Sequence, residues 1–496
     1  MALASRCCRS AGGAASCSGR RRTSPGRAKG HGGPCWARRG RAEAKGWGHA
    51  VRTHVGAEGV LETSWLESFN VQEFRGCSLE VVAGRLCLVA SRAADAGDVL
   101  LRVPIDETLS ESVFDEVFPG AGGDGSLAGL EPWMKLVLVL LRFRASDEEG
   151  KWMPLLRALD DSRTFRRHPL LWDEADLLEL QCTQTFEKLK AYNEYLETTS
   201  LQMEEFVYPV LGLAGRVSRE DFFWAFGALK TNALRPFSQP QALRLVPVLN
   251  ILSHGRRTNC NSKFASSGIF KKDETLDLLA TRSLQEGDVL AYDFDPAKAE
   301  IDILVDYGVF DVEAPSGGME LTLELDENDP NYLDKCDVVE EAAGLQVRES
   351  FAVSEGSVPG DVLAFLRLVK LEGFDAFLLE PVFRSEIWGF MKDPVSRENE
   401  TNVCVSMIQS CEEALAEFPT SIEEDEEILA RLAADGGSKH SNARIAVEAR
   451  LVEKRTLRSL VKFFRAEKAQ IPFKEYYQER RLKSLNLLDM DGNSTY

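Results

Sequence analysis

The side chains able to do chemistry concentrate between Val246 and Phe310. The first stretch, Val246-Pro247-Val248-Leu249-Asn250-Ile251-Leu252-Ser253-His254-Gly255, is an apolar run ending in a hydroxyl and an imidazole. Some thirty residues on, Glu286-Gly287-Asp288 turns into an aromatic strand carrying Tyr292 and Phe294. The third, Glu300 to Phe310, reads as a short helix ending in Asp306-Tyr307-Gly308. Together they describe the floor of a site with a phenol at a bend. Taken alone, a bare Tyr-Gly is more often packing than catalysis.

Other chemistries find little support. Of six histidines, three precede residue 55, leaving His168, His254 and His440. There is no HExxH or GxSxG and no Ser/His/Asp arrangement, which argues against hydrolysis. Gly120-Ala121-Gly122-Gly123-Asp124-Gly125 fits G-x-G-x-x-G, yet no strand leads into it and Asp124 would face a pyrophosphate. It reads as a flexible connection. Of eleven cysteines, four (Cys7, Cys8, Cys17, Cys35) lie in the first 55 residues. The other seven show neither C-x-x-C nor zinc spacing, so buried thiols of a reducing compartment are expected and no metal site.

Positioning those stretches falls to the elements around them. Trp65, Leu66 and Phe69 suggest a short amphipathic helix. Strands are expected at Leu79–Ala90 and Val99–Ile105, split by the turn-forming Ala93-Ala94-Asp95-Ala96-Gly97-Asp98. From Trp133 to about Lys230 the pattern is helical: Trp133–Phe143, Asp173–Glu179 leading on through Phe186 to Tyr195, and Arg219–Lys230. Short strands return from Leu243 to Val309, so a helical insertion within a β-rich domain is the natural parse. From about Asp329 the chain is mostly helical, with Leu457, Leu460, Val461 and Phe464 forming a packing stripe. The acidic run Glu423–Glu427 and Gly436-Gly437-Ser438 are expected as solvated connections.

At ~100–200 residues per domain, 496 residues make two or three domains. The longest aliphatic run, Leu136 to Leu141, is far short of the ~18 residues a membrane span needs, so no membrane association is expected. Residues 1–55 hold 12 Lys and Arg against Glu43 alone, a net of +11, which leaves −30 on the remaining 441. An Arg-, Ser- and Ala-rich, acid-poor leader fits an organelle transit peptide, a basic nucleic-acid-binding arm being the alternative.

In their order, these segments resemble the SET-domain protein-lysine methyltransferases, specifically the plastid Rubisco large-subunit methyltransferase-like branch, over roughly residues 62–485. Further carriers are Gly150-Lys151-Trp152-Met153-Pro154-Leu155, Pro169-Leu170-Leu171-Trp172, Pro394 through Glu400, and Asn442 through Lys454. The resemblance implies an α+β fold: a probable plastid transit peptide at 1–55, a β-rich SET domain at 56–318 with a helical insertion at about 127–230, an all-α substrate-binding domain at 319–485, and a tail at 486–496. It also implies S-adenosyl-L-methionine (AdoMet) as cofactor.

The residue-by-residue match is partial. The branch's Glu-Gly-Leu-Gly stands here as Gly84-Arg85-Leu86-Cys87, and its Ser-Arg as Thr231-Asn232. Its Asp-Leu-Ile-Asn-His-Ser stands as Asn250 to Gly255, and its Tyr-Gly-Phe as Tyr307-Gly308-Val309. By position the implied cofactor residues are Gly84, Arg85, Leu86, Asn232, Asn250, Ser253 and His254. Tyr307 is implied as catalytic, with Tyr292 and Phe294 as walls of the substrate channel. Arg85 is a candidate to replace the lost Arg toward the cofactor carboxylate.

Methyl transfer from a sulfonium to an amine is an in-line displacement in which positioning and desolvation dominate. The acceptor lysine must arrive neutral despite a reference pKa of ~10.4. The expected function is AdoMet-dependent protein-lysine N-methylation in the plastid stroma, on Rubisco or another stromal protein, with no nucleic-acid partner. Cys336, Cys404 and Cys411 are too dispersed for a zinc-binding tail of histone-directed enzymes. The alternative is a catalytically inactive SET-fold protein that binds partners through its C-terminal helices, supported by the departures at Gly84, Asn232 and Ser253.

Overall fold

The structure, a computed structural model, describes residues 76–483 apart from 83–84, 122–126, 128, 147–149, 151, 154, 157–167, 235–242, 268–272, 297, 312–317, 384–385, 435–440, 478–479 and 481–482. The leader, Gly84, the end of the G-x-G-x-x-G stretch, His440, the Gly-Gly-Ser and the 486–496 tail lie outside the described residues, as do the side chains of Arg85 and Leu86.

The expected strand Leu79–Ala90 is two strands, β1 (Cys77–Val82) and β2 (Arg85–Ala90), antiparallel with Val82 opposite Arg85. Only Ala83 and Gly84 remain to connect them, a hairpin signal inside an otherwise continuous apolar run. β3 (Val99–Pro104) joins two later strands, β8 (Cys260–Ser267) and β9 (Asp273–Ala280), in the order β3-β9-β8. The turn before β3 is built as its residues suggest: Asp95 N–H donates to the Asp98 carboxylate, and Gly97 takes φ +94°. Leu88, Leu100, Leu276, Leu278 and Leu290 form the dry centre of this β region.

Among the described residues, the insertion supplies three long helices and short ones at Glu174–Leu178 and Tyr208–Leu211. α1 (Pro132–Arg144) buries every residue from Leu136 to Leu141, as a helix that is apolar all round must. α2 (Gln184–Gln202) is capped by Thr183, whose hydroxyl accepts from Phe186 N–H. α3 (Arg219–Asn232) starts with a capping box between Ser218 and Asp221. Its C-terminal end runs straight into β5 (Ala233–Leu234), which pairs with β6 (Arg244–Leu245) and through it with β4 (Leu109–Ser110), and so carries the insertion back to the β region. α4 (Glu300–Tyr307) is the short helix anticipated before Tyr-Gly.

The C-terminal region is helical, but it opens on an antiparallel hairpin, β11 (Met319–Glu324) with β12 (Arg348–Val353). Its main helices are α5 (Gly360–Val369), α6 (Arg397–Glu417), α7 (Ile422–Ala434) and α8 (Asn442–Gln470). The stripe Leu457, Leu460, Val461 and Phe464 is buried on α8, which packs along α6. One expectation fails here. The acidic run is not a solvated connection but the start of α7, and Asp425 is fully buried, its carboxylate held by Arg450 and Lys454 of α8. Helical periodicity turns position 425 inward with Ile422, and two cations from the neighbouring helix compensate the charge.

A second buried carboxylate joins this region to the insertion. Glu453 of α8 accepts from the N–H groups of Gln184 and Thr185 and from the Thr185 hydroxyl, at the N-terminus of α2. Burial pushes it up to about 7 even so. Among the described residues no helix is long and apolar enough to cross a membrane.

Candidate active site

Tyr307 closes α4. Beneath it Ile301, Ile303 and Leu304 are fully buried, which fixes the helix on the core. Gly308 ends the helix at φ +68°, and a Cβ there would lie 2.7 Å from the Cα of His168. A left-handed backbone and a wall of neighbouring chain both require glycine, so the Tyr-Gly pair has little room to drift.

The start of α4 is tied to the β region. Glu300, fully buried, meets His254 Nε2 at 3.1 Å and accepts from Arg256 Nε at 2.8 Å and Asp311 N–H at 2.7 Å. Arg256 also binds the Asp293 carboxylate and the carbonyls of Asp295 and Lys298. Burial alone would push Glu300 up, but His254, the Asp311 N–H and Arg256 outweigh it and hold the carboxyl below its usual range. His254 Nδ1 accepts from Phe294 N–H at 3.4 Å, so both ring nitrogens have partners within the protein.

The residues singled out in the sequence gather around this brace. β7 (Ser253–His254) and β10 (Ala291–Tyr292) pair in parallel, with His254 opposite Tyr292. The rings of His254 and Phe294 lie 5.1 Å apart, and those of Phe294 and Tyr307 5.3 Å, both edge-on. Tyr292 is buried in the β core, where burial pushes its phenol up to about 12. The Ser253 hydroxyl lies 3.8 Å from Cys87 Sγ, one residue beyond Leu86 on β2. The turn Leu249–Ile251, which carries Asn250, contacts β2, α3 and β5. Val248 before it is buried at φ +73°, ψ −47°, a conformation costly for a β-branched residue and typical of strained functional loops. Asn232 is buried at the end of α3, and its Nδ2 donates back to Ala228 O at 2.9 Å.

Two oxygens in this cluster are buried without a hydrogen-bond partner among the described residues: Asn250 Oδ1 and the Thr231 hydroxyl. Orphaned buried acceptors are costly unless something else satisfies them. A ligand with several N–H and O–H groups, as a nucleoside has, fits that need.

Tyr307 has a second neighbourhood that sequence reasoning did not identify. It lines a cavity of about 240 Å³ with Trp133, Tyr192, Tyr195, Phe226, Leu229, Lys230, Ala233 and Leu243. Phe226 stands edge-on to Trp133 at 5.3 Å and to Tyr192 at 5.6 Å. Tyr292 and Phe294, expected as channel walls, are not among its lining residues; Phe294 instead backs the Tyr307 ring. The available signal was the aromatic density of the insertion, Tyr192-x-x-Tyr195 and Trp224-x-Phe226, which reads equally well as core. Tyr192 also borders a larger cleft of about 720 Å³ between α2, α4 and the β11–β12 hairpin.

Beside the phenol, the Asp306 carboxylate holds two ammonium groups, Lys230 at 2.8 Å and Lys298. Burial would raise Asp306, but these two cations outweigh it and bring it down to about 2. The site thus sets the Tyr307 side chain between Phe294, on the side of the polar cluster with unmet acceptors, and an aromatic cavity. That arrangement suits ordering an amine against a group carried by a bound nucleoside.

Known proteins of this shape agree. A family model, Rubisco LSMT substrate-binding, matches residues 326–457. The chain is 32% identical to the chloroplastic [fructose-bisphosphate aldolase]-lysine N-methyltransferase of Arabidopsis thaliana, over 83% of this chain and 84% of the relative. It is 33% identical to the chloroplastic Rubisco large-subunit N-methyltransferase of Nicotiana tabacum, over 83% and 82%. The crystal structure of the SET domain of LSMT bound to lysine and AdoHcy superposes with a TM-score of 0.73 at 30% identity, covering 86% of this chain and 94% of that one. The chain therefore belongs to the SET-domain protein-lysine N-methyltransferases, in their Rubisco large-subunit methyltransferase branch. AdoMet is the cofactor of this fold and site.

Proposed function

We propose that the protein methylates a lysine of a plastid protein. The carrying observation is Tyr307, held in place by Gly308 against His168 at the wall of an aromatic cavity, on the helix whose other end is tied to the strand of Ser253 and His254. Asn250, Ser253 and Thr231 would hold the cofactor by polar contacts, with Leu86 and the strand bearing His254 as its apolar and backbone walls. Arg85 would meet its carboxylate. The bound cofactor supplies an electrophilic methyl. Tyr307 orients the neutral amine, and the aromatic walls exclude water, which lowers the cost of keeping that amine unprotonated. The basic, acid-poor leader and the chloroplastic relatives support import into the plastid, where the stroma supplies the substrate. The aldolase lysine and the Rubisco large subunit, acted on by the relatives, are the first acceptors to try.

The competing reading, a non-catalytic binder, draws on Asn232: where the branch carries an Arg, this side chain folds back onto its own helix. Calorimetry with AdoMet separates the two. The catalytic reading expects binding, and methyl incorporation into stromal extract that falls at least about 100-fold in Tyr307→Phe with cofactor affinity unchanged. A folded sample that produces no heat with AdoMet supports the binder.

A further inference from the structure

Among the described residues that line the Tyr307 cavity, Lys230 is the one lysine or arginine. It is fixed from two directions. Asp306 of α4 binds its ammonium at 2.8 Å, and the ammonium lies over the rings of Tyr192 at 5.0 Å and Phe226 at 6.0 Å. Its side chain is 15% exposed.

We propose that Lys230 makes the acceptor cavity select the unprotonated amine, an inference that rests on the methyltransferase reading of this cavity. Three observations lead there. The Asp306 carboxylate is shared with Lys298, so it does not cancel Lys230 one for one. The faces of Tyr192 and Phe226, which would attract an incoming ammonium, are already engaged by Lys230. The same field already reaches His168 behind Gly308: burial first and then the Lys230 charge push that imidazole down to about 3. A protonated acceptor would enter a low-dielectric space beside a like charge, whereas a neutral amine loses nothing by it. The other titratable groups among the described lining residues are the phenols of Tyr192, Tyr195 and Tyr307. One turn away on α2 and α4, Lys188 is occupied with Asp302 and Glu320.

The test uses the full-length protein saturated with AdoHcy and titrated with Nα-acetyl-L-lysine amide, whose ε-amine is its sole titrating group. Calorimetry in two buffers of different ionisation enthalpy counts the protons released. Wild type should release close to one proton per amine at pH 8, and its affinity should rise about tenfold per pH unit from 7 to 9, following the neutral fraction. Lys230→Gln should bind the amine more tightly at pH 7 than wild type does, release far fewer protons and lose most of the pH slope. Lys230→Arg should behave as wild type. Damage to the fold would weaken binding rather than tighten it, and Asp306 keeps Lys298 in either variant. Lys230→Met serves as a second neutral variant should the Gln form not fold. Equal proton release and slope in wild type and the neutral variants would overturn the proposal. Failure of wild type to bind AdoHcy would overturn the methyltransferase reading beneath it. AdoHcy binding without amine uptake would remove the cavity's role as acceptor site, and this inference with it.

Discussion

Tyr307 has two neighbourhoods made of different materials. Around β7, β10 and the Leu249–Ile251 turn the groups are polar, paired around Glu300 but with Asn250 Oδ1 unpartnered among the described residues, and unlike the branch at several positions. Around the cavity they are aromatic and contributed by helices that the sequence presents only as an insertion. Of the positions that depart from the branch, Asn232 and Ser253 lie on the polar side; the aromatic side is a cavity lined by the rings of Trp133, Tyr192, Tyr195 and Phe226. The contrast separates the positions implied for the cofactor, where the departures fall, from the cavity beside Tyr307, in whose lining neither Asn232 nor Ser253 takes part. Both neighbourhoods are held in register by a single eight-residue helix, braced at Glu300 and stopped at Gly308.

The contrast breaks most severely at the junction. Gly308→Ala adds a Cβ against the His168 backbone and forces an L-residue into a left-handed conformation. The two costs together come to roughly 2–5 kcal/mol in urea unfolding, with methyl transfer lost while AdoMet binding persists. If both activities declined in parallel, Tyr307 would not be the dividing point. Next in size, Arg85→Ala should weaken AdoMet by about ten- to a hundredfold in calorimetry and leave amine uptake in the AdoHcy-saturated protein alone. Unchanged AdoMet affinity would remove Arg85 from the cofactor site.

The smallest effect concerns pH. The folded-state value of Asp306, about 2, lies below its ordinary 3.8. A depressed carboxyl adds stability above its unfolded pKa and loses it as pH falls through the folded one. Asp306→Asn should therefore cost about 1–2 kcal/mol at neutral pH and flatten the stability curve between pH 4 and 2. A curve parallel to wild type over that window would show that Lys230 and Lys298 do not act through this carboxylate.

Much of this was legible in the chain. Apolar spacing put Trp133–Phe143 and Arg219–Lys230 within two residues of their observed bounds, whereas the helix expected to reach Tyr195 runs on to Gln202; the caps Ser218 and Thr183 are further marks of where α3 and α2 begin. The Tyr-Gly bend was visible because only glycine serves there. What escaped depends on partners far along the chain. Asp425 reads as one acid in a solvated run, since Arg450 and Lys454 are invisible from its local sequence. Trp133, Tyr192 and Phe226 sit on three helices, and no local pattern tells an aromatic that lines a cavity from one that fills a core. The hairpin at β1 and β2 was missed because Ala83-Gly84 interrupts the apolar pattern for only two residues.

Whether Tyr307 stands between cofactor and acceptor is decided by a crystal structure of the protein with AdoHcy and a lysine-bearing peptide. The prediction is AdoHcy against Asn250, Ser253 and Thr231, with the lysine side chain in the aromatic cavity and its amine beside the Tyr307 hydroxyl. A lysine bound elsewhere, or a cavity closed by its own rings once AdoHcy is in place, would contradict it.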